Sequence, residues 1–197
     1  MKELFERGTT GPWTTAGLDV QYKVEREMDR VFLSFQCTAS ESDWWYNFQF
    51  AKVLYKDSTY PFWCHQGFAA LYHSVRDSVL ADIKAQVTAG ARFLTILGYS
   101  QGGALATLAH EDCGWHWPLL ETTTYVFGSP RVLAVCPAVV TARFTHLSRY
   151  EVRGDPVPLA PPVIWGYRHV GNGIQIGPWS FPWFDKHDPI NYQRGLP

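Results

Sequence analysis

Apolar and polar positions alternate over residues 20–25, with Val20, Tyr22 and Val24 on one side. After Glu27-Met28-Asp29 comes Val31-Phe32-Leu33-Ser34-Phe35, a run of β-forming residues, and the two segments predict an antiparallel hairpin. The period then changes. Phe68, Leu71, Val75, Val79, Leu80 and Ile83 recur at helical spacing and predict a long helix over 67–87 that ends before Gly90. Arg92-Phe93-Leu94-Thr95-Ile96-Leu97 is a short continuous apolar run, which suits a central parallel strand covered on both faces. Gly98-Tyr99-Ser100-Gln101-Gly102-Gly103 follows, and then the strong helix former Ala104-Leu105-Ala106-Thr107-Leu108-Ala109. Strands over 122–127 and 148–152 lead into the loops Gly128-Ser129-Pro130 and Arg153-Gly154-Asp155-Pro156-Val157-Pro158. The tail from Pro161 is loop-rich, with a hairpin expected over 167–176, turning at Gly171-Asn172-Gly173. Strand, loop, helix and strand in this order predict an α/β fold. Its central sheet is mostly parallel, with an antiparallel N-terminal hairpin and helices on both faces.

Composition narrows the function classes. A chain of 197 residues, 46% hydrophobic and 18% charged, is the size of one domain and can bury a core, which excludes a disordered linker. Seventeen basic and 18 acidic residues give a net charge of -1, with no basic surplus to attract a nucleic-acid backbone. Nine Trp is rich for this size and points to exposed rings that meet sugars, lipid surfaces or partners. Met1-Lys2-Glu3-Leu4-Phe5-Glu6-Arg7 has no apolar run behind its charges, so no signal peptide is visible. The expectation is a cytoplasmic protein unless a cleaved signal has been removed. Nor does any stretch approach the ~18 apolar residues of a spanning helix, which predicts a chain at most peripheral to a membrane.

Cys37, Cys64, Cys113 and Cys136 are widely spaced, with no C-x-x-C pair, so neither a zinc ribbon nor a redox dithiol is indicated. Their even number permits disulfides. His110-Glu111-Asp112-Cys113-Gly114-Trp115-His116 carries several potential metal ligands, but no second ligand pair is spaced to complete a site. The segment is expected to be a solvated helix end, and no metal is expected.

Gly98-Tyr99-Ser100-Gln101-Gly102 fits G-x-S-x-G, preceded at once by a strand and followed at once by a helix. A serine there sits on a sharp turn above the sheet, and the helix N-terminus favours the negative charge that forms on attack. A nucleophilic serine needs a base, and the base an orienting acid. His146, His169 and His187 lie downstream. Among the carboxylates, Asp155 follows a strand in a Gly- and Pro-rich loop, where catalytic loops leave a parallel sheet, while Asp185 and Asp188 sit beside His187.

Several separated motifs then match one family in order. Phe35-Gln36-Cys37-Thr38-Ala39-Ser40-Glu41-Ser42-Asp43-Trp44 resembles F-R-G-T/S-x-S-x-x-D-W, and His65-Gln66-Gly67-Phe68 resembles H-x-G-F. Residues 98–105 resemble G-H-S-L-G-G-A-L, and Tyr125-Val126-Phe127-Gly128-Ser129-Pro130-Arg131-Val132 resembles T-F-G-x-P-R-V. Asp155-Pro156-Val157-Pro158-Leu159-Ala160-Pro161 resembles D-x-V-P-x-x-P, Gly166-Tyr167-Arg168-His169 resembles G-Y-x-H, and His187 with Tyr192 resembles D-H-x-x-Y. The chain is similar over about 31–192 to the class 3 lipases, the fungal triacylglycerol lipases and related esterases of the α/β-hydrolase fold. The resemblance implies a triad of Ser100, Asp155 and His187, with His169 structural and only the second choice of base. It also implies an oxyanion hole from the backbone N–H groups of Thr38 and Gln101, with the Thr38 hydroxyl as a further donor.

The chain departs from the family pattern at Gln36 and Cys37, in place of Arg and Gly, and at Tyr99 and Gln101, in place of His and Leu. The region before the first hairpin is short, which predicts a trimmed outer sheet. Residues 40–50, with Trp44, Trp45, Tyr46, Phe48 and Phe50, occupy the family's lid position. Two readings stand: a lid over the serine that turns out onto lipid, or aromatic packing onto the core. Trp179, Phe181, Trp183 and Phe184 precede His187 and are expected to line or roof an apolar pocket, together with Trp44, Trp45, Tyr46 and Tyr99.

The whole chain reads as one α/β-hydrolase domain, a serine carboxylic-ester hydrolase acting through an acyl-enzyme. The expected substrates are acylglycerols or similar apolar esters, with transient contact to a lipid–water interface and no cofactor or nucleic acid. A phospholipase or feruloyl-type esterase is the alternative chemistry, and a non-catalytic lipid- or partner-binding module is the alternative class.

Overall fold

The hairpin forms with a register that puts each apolar side chain where the alternation requires. β2 (Val20–Glu27) and β3 (Arg30–Gln36) pair antiparallel, with Tyr22 opposite Phe35 and Val24 opposite Leu33. The structure, a computed structural model, describes residues 1–36, 51–56, 60–134, 136–179 and 183–197. β3 pairs in parallel with β6 (Phe93–Tyr99), β6 with β7 (Glu121–Phe127), β7 with β9 (Leu147–Val152) and β9 with β11 (Asn172–Ile176). With β1 (Thr14–Ala16) at the edge, the sheet order is β1-β2-β3-β6-β7-β9-β11.

Both faces of this sheet are covered, as continuous apolar strands demand. On one face Leu94, Ile96 and Val126 pack under α2 (Gln66–Thr88) and α3 (Gln101–His116). On the other, Tyr99, Phe127, Tyr150 and Ile176 pack under α1 (Lys2–Arg7) and α5 (Pro189–Gly195), which contribute Phe5 and Tyr192. Adjacent residues such as Val126 and Phe127 divide between the two layers because a strand alternates its faces. A four-residue helix, α4 (Ala138–Thr141), lies between residues Leu133–Ala134 (β8) and β9.

Three features differ from the sequence expectation. The tail hairpin does not form. Tyr167–Arg168 (β10) joins a second, antiparallel sheet, β10-β8-β5-β4, with Leu133–Ala134 (β8), Phe62–His65 (β5) and Lys52–Tyr55 (β4). β11 instead lies parallel to β9. Gly171, with φ +70, brings the chain so close to β9 that a methyl group there would lie 2.4 Å from the Leu147 carbonyl oxygen, so the glycine serves a close approach rather than a reversal. The second sheet escaped the pattern because strands of two to four residues hold too few alternations.

The segment 110–116 is not a solvated helix end. His110, Glu111, Asp112 and Cys113 are buried, because α3 is wedged between the sheet and α2. The polar groups meet distant partners. Asp112 accepts from Arg76 Nε at 2.7 Å, Arg76 Nη2 at 2.9 Å and Tyr72 Oη at 2.9 Å. Glu111 pairs with Arg143 at 2.8 Å, and His110 Nδ1 meets Thr124 Oγ1 at 2.8 Å. Cys64, Cys113 and Cys136 are free thiols; burial pushes Cys64 up to about 12 and Cys113 higher still, which makes them inert packing residues.

Two buried histidines and a half-buried one predict how stability depends on pH. Burial lowers His65 and His110 to about 4, and burial followed by the Arg149 charge lowers His169 to about 3, from an ordinary value of 6.5. The folded-state values lie below the unfolded one, so the unfolded chain takes up these protons first as the solution is acidified. The stability is therefore fully present above about pH 6.5 and is lost as the pH falls toward the folded values. Urea unfolding at stepped pH should give a flat free energy above about pH 7 and a decline between about 6.5 and 4, approaching ~4 kcal/mol per pH unit where all three contribute. His110→Gln should remove roughly a third of that slope. A free energy unchanged through this window would contradict the assignment.

Candidate active site

Ser100 stands between the last residue of β6 and the first of α3, with φ 56° and ψ -125°, a strained conformation for a residue with a side chain. Its neighbours show why the chain tolerates this. A methyl group at Gly102 would lie 2.2 Å from the Phe35 carbonyl oxygen, and one at Gly98 would lie 2.2 Å from the Gly102 oxygen. Glycines at both positions let strand, turn and helix touch backbone to backbone. The bend is further tied by Ser100 N donating to Phe127 O at 2.9 Å and Gly103 N donating to Ser100 O at 3.0 Å.

Asp155 follows β9 and is buried. Its Oδ1 accepts from Val157 N at 2.8 Å, and its Oδ2 accepts from His187 Nδ1 at 2.7 Å and from the Tyr192 hydroxyl. Burial first, and then the Asp155 charge, raise Tyr192 well above the ordinary tyrosine range, so the phenol keeps its proton and donates. The loop beyond Asp155 is pinned at several points. His169 Nε2 donates to Pro158 O at 2.7 Å, and Arg131 donates from Nη1 to Pro161 O at 2.9 Å and to Leu159 O. His169, the second choice of base, thus holds the acid's loop through a backbone carbonyl.

His187 arrives on a short 3-10 turn, Phe184–His187, which ends at the Asp188 cap of α5. Its Nε2 lies 2.7 Å from Ser100 Oγ. A carboxylate only accepts, so Nδ1 carries the proton toward Asp155 and Nε2 is left to accept from the serine hydroxyl. Ser100, Asp155 and His187 are therefore brought together as one chain of hydrogen bonds, from segments 32 and 87 residues away from His187. Gly128 makes room for it: its φ is +57, and a methyl group there would lie 2.8 Å from both His187 Cε1 and Tyr192 Oη.

Other expected site residues fall differently. Gln101 opens α3, so its backbone N–H stands at the positive end of that helix. Tyr99, expected on the pocket wall, is instead buried behind the histidine. Its ring stacks on His187 at 5.0 Å and meets Phe5 and Tyr192 edge-on, because the residue before the serine still follows the strand's alternation into the lower layer. Trp183 is 67% exposed, and its backbone N–H donates to Gly154 O at 3.1 Å, which puts it on the surface beside the Asp155 loop. Thr38, Trp44, Trp45 and Tyr46 lie outside the described residues, as do Cys37, Phe48, Phe50, Phe181 and the Phe184 side chain. The sequence reading missed Phe5 of α1, which packs behind Tyr99 and beside Tyr192, and gave Tyr192 no role; two adjacent apolar residues between charges in a six-residue helix leave almost no periodic signal.

A separate cleft of about 560 Å³ opens at the far end of β7, between Trp115, Trp117, Glu121 and Arg143. None of the three aligned groups borders it. Convergence of side chains, rather than cavity size, locates the chemistry.

The chain matches the family model of Lipase (class 3) over residues 32–165. It is 29% identical over 162 residues to secreted mono- and diacylglycerol lipase 1 of Fusarium solani, covering 79% of this chain and 46% of that protein. It is 36% identical over 112 residues to secreted mono- and diacylglycerol lipase A of Penicillium cyclopium, covering 53% and 34%. The chain thus spans less than half the length of these relatives. Among solved structures, a Rhizomucor miehei lipase propeptide complex superposes with a TM-score of 0.75 at 24% identity, over 83% of this chain and 55% of that one. Lipase II from Rhizopus niveus does so with a TM-score of 0.75 at 26% identity, over 84% and 64%.

The cytoplasmic expectation does not survive, because the relatives are named as secreted lipases and so point to the outside of the cell. The physical reason for the error is simple: export leaders are transient, so the first residues of a sequence do not report the compartment in which the folded domain works. No helix among the described residues is long and apolar enough to cross a membrane. The α/β-hydrolase fold and the family model covering most of the sheet and both main helices identify the chain as a member of the class 3 lipase family.

Proposed function

We propose that this protein is an extracellular serine carboxylic-ester hydrolase that cleaves acylglycerols or similar apolar esters, with residues 1–197 forming one catalytic domain. The observation that carries the reading is the unbroken line Ser100 Oγ, His187 Nε2, His187 Nδ1 and Asp155 Oδ2, with both hydrogen bonds at 2.7 Å.

Each atom then has a task. His187 Nε2 takes the Ser100 proton as Oγ attacks the ester carbonyl, and Asp155 holds the imidazole in the required tautomer and stabilises the cation that forms. The carbonyl oxygen gains charge and is met by the backbone N–H of Gln101 at the N-terminus of α3; the second donor that the family resemblance implies, Thr38, lies outside the described residues. Collapse of the tetrahedral intermediate breaks the bond to the alcohol, which leaves with the proton from His187 and gives an acyl-Ser100. Water, deprotonated by the same Nε2, releases the acid and restores the serine.

The surroundings support an apolar substrate delivered from an interface. Leu159, Val163, Ile164 and Trp165 follow Asp155, Trp179 and Trp183 precede His187, and all are exposed apolar groups. Exposed apolar groups on segments that leave the same end of the sheet as the serine suit contact with lipid. The relatives' names as mono- and diacylglycerol lipases support the same substrate class.

A panel of p-nitrophenyl esters of graded chain length, with acylglycerols, a phospholipid and a feruloyl ester beside them, tests the reading. The expected result is cleavage of acylglycerols and a kcat/KM that climbs about fourfold per methylene until the acyl site is filled. Preference for the phospholipid or the aromatic ester would replace the substrate class.

A further inference from the structure

His187 has an unusual problem of support. It is carried by a single 3-10 turn rather than by a strand, yet its ring must keep its bond to Ser100 through every turnover. Asp155 fixes one edge of the imidazole and leaves free both its tilt out of the ring plane and the main chain that carries it. Tyr99 meets both needs. Its ring lies against the imidazole face, 5.0 Å between centroids and 16° from parallel, and its hydroxyl donates to the backbone carbonyl oxygen of His187 itself. Tyr99 in turn is held from behind by Phe5 of α1, whose ring meets it edge-on at 5.8 Å and Phe127 at 5.0 Å.

We propose that Tyr99 is a positioning residue that sets the register between nucleophile and base, with Phe5 as its backing. The proposal rests on the reading of Ser100 and His187 given above. Its logic is covalent: Tyr99 and Ser100 are consecutive, so the side chain that grips the histidine is rigidly joined to the backbone that carries the nucleophile. Any movement of the elbow carries the histidine with it. The family motif matched by residues 98–105 has a histidine at this place, and an imidazole has no phenolic hydroxyl to reach that carbonyl, so the device belongs to this chain's departure from the pattern.

The test measures hydrolysis of p-nitrophenyl butyrate by the full chain, with reactive sites counted by titration against a fluorophosphonate. Tyr99→Leu removes ring and hydroxyl; it is expected to lower kcat per titrated site about 100-fold while KM stays within about twofold. Tyr99→Phe keeps the ring and is expected to recover most of that loss, remaining about tenfold below the parent. Phe5→Leu should fall between Tyr99→Phe and the parent. Val79→Ala in α2 lowers the melting temperature but should leave kcat per titrated site unchanged, since Val79 is buried in the opposite layer.

If the Tyr99 variants lose titratable sites but keep kcat per site within about twofold of the parent, the residue is merely structural and the proposal is overturned. If Tyr99→Leu yields no folded protein, Tyr99→Phe decides alone by the same criterion. Parental hydrolysis by Ser100→Ala, by contrast, would remove the underlying reading and leave Tyr99 with nothing to position.

Discussion

Asp155→Asn is expected to lower ester hydrolysis about 10⁴-fold while the protein stays folded. The carboxylate receives three donors: Val157 N on one oxygen, and His187 Nδ1 and the Tyr192 hydroxyl on the other. An amide has one oxygen and one NH₂ group. If its oxygen keeps the Val157 bond, its NH₂ faces His187, and the imidazole must accept there and carry its proton on Nε2. A protonated Nε2 has no lone pair for the Ser100 hydroxyl, so the general base is lost without any change in shape. If the amide turns round, the Val157 N–H faces an NH₂ group and the acid's loop loses its tie. The measurement is kcat at neutral pH beside a thermal melt. A loss under about tenfold would mean that Asp155 does not set the tautomer.

Gly128→Ala should cut kcat by about 10²- to 10³-fold, although the residue has no side chain and takes no part in the chemistry. The added methyl would sit 2.8 Å from His187 Cε1, 2.8 Å from Tyr192 Oη and 3.0 Å from Tyr192 Cζ, inside the contact distance of all three. Both aromatic groups must retreat, one from Ser100 and the other from Asp155. The backbone, at φ +57, adds about 1–2 kcal/mol of strain. Gly90 separates the two effects. It has φ +91 with no atom within 4 Å of an added methyl, so Gly90→Ala should lower stability and leave kcat unchanged. Equal activity losses in the two variants would show that strain, not crowding of the histidine, is responsible.

How much of this was legible in the sequence depends on what carries each feature. The long helix of Gln66–Thr88, the hairpin and the strands that flank the elbow were visible because repeated burial on one face writes a period into the chain. Ser100, Asp155 and His187 could be singled out because an elbow glycine pattern, a Gly/Pro loop after a strand and an ordered run of family motifs each leave local marks. Features made by distant pairing left none. Asp112 looks like a surface charge until Arg76 and Tyr72, 36 and 40 residues away, are seen around it. Gly171 looks like a hairpin turn until Leu147 is placed against it. Phe5, at one end of the chain, becomes part of the site only because Tyr192, at the other end, packs beside it, with rings 6.1 Å apart. Tyr99 shows the same limit at short range: its motif predicts a neighbour of the nucleophile, but only the alternation of β6 turns it toward the histidine.

The central claim is that Ser100 is the one nucleophile, activated by His187. Peptide mass spectrometry after reaction with a fluorophosphonate tests it most directly. The account predicts a single phosphonyl adduct per chain, on the peptide that contains Ser100, with loss of ester hydrolysis in step with labelling and no adduct in Ser100→Ala. An adduct on another residue, or full labelling that leaves hydrolysis intact, would contradict it.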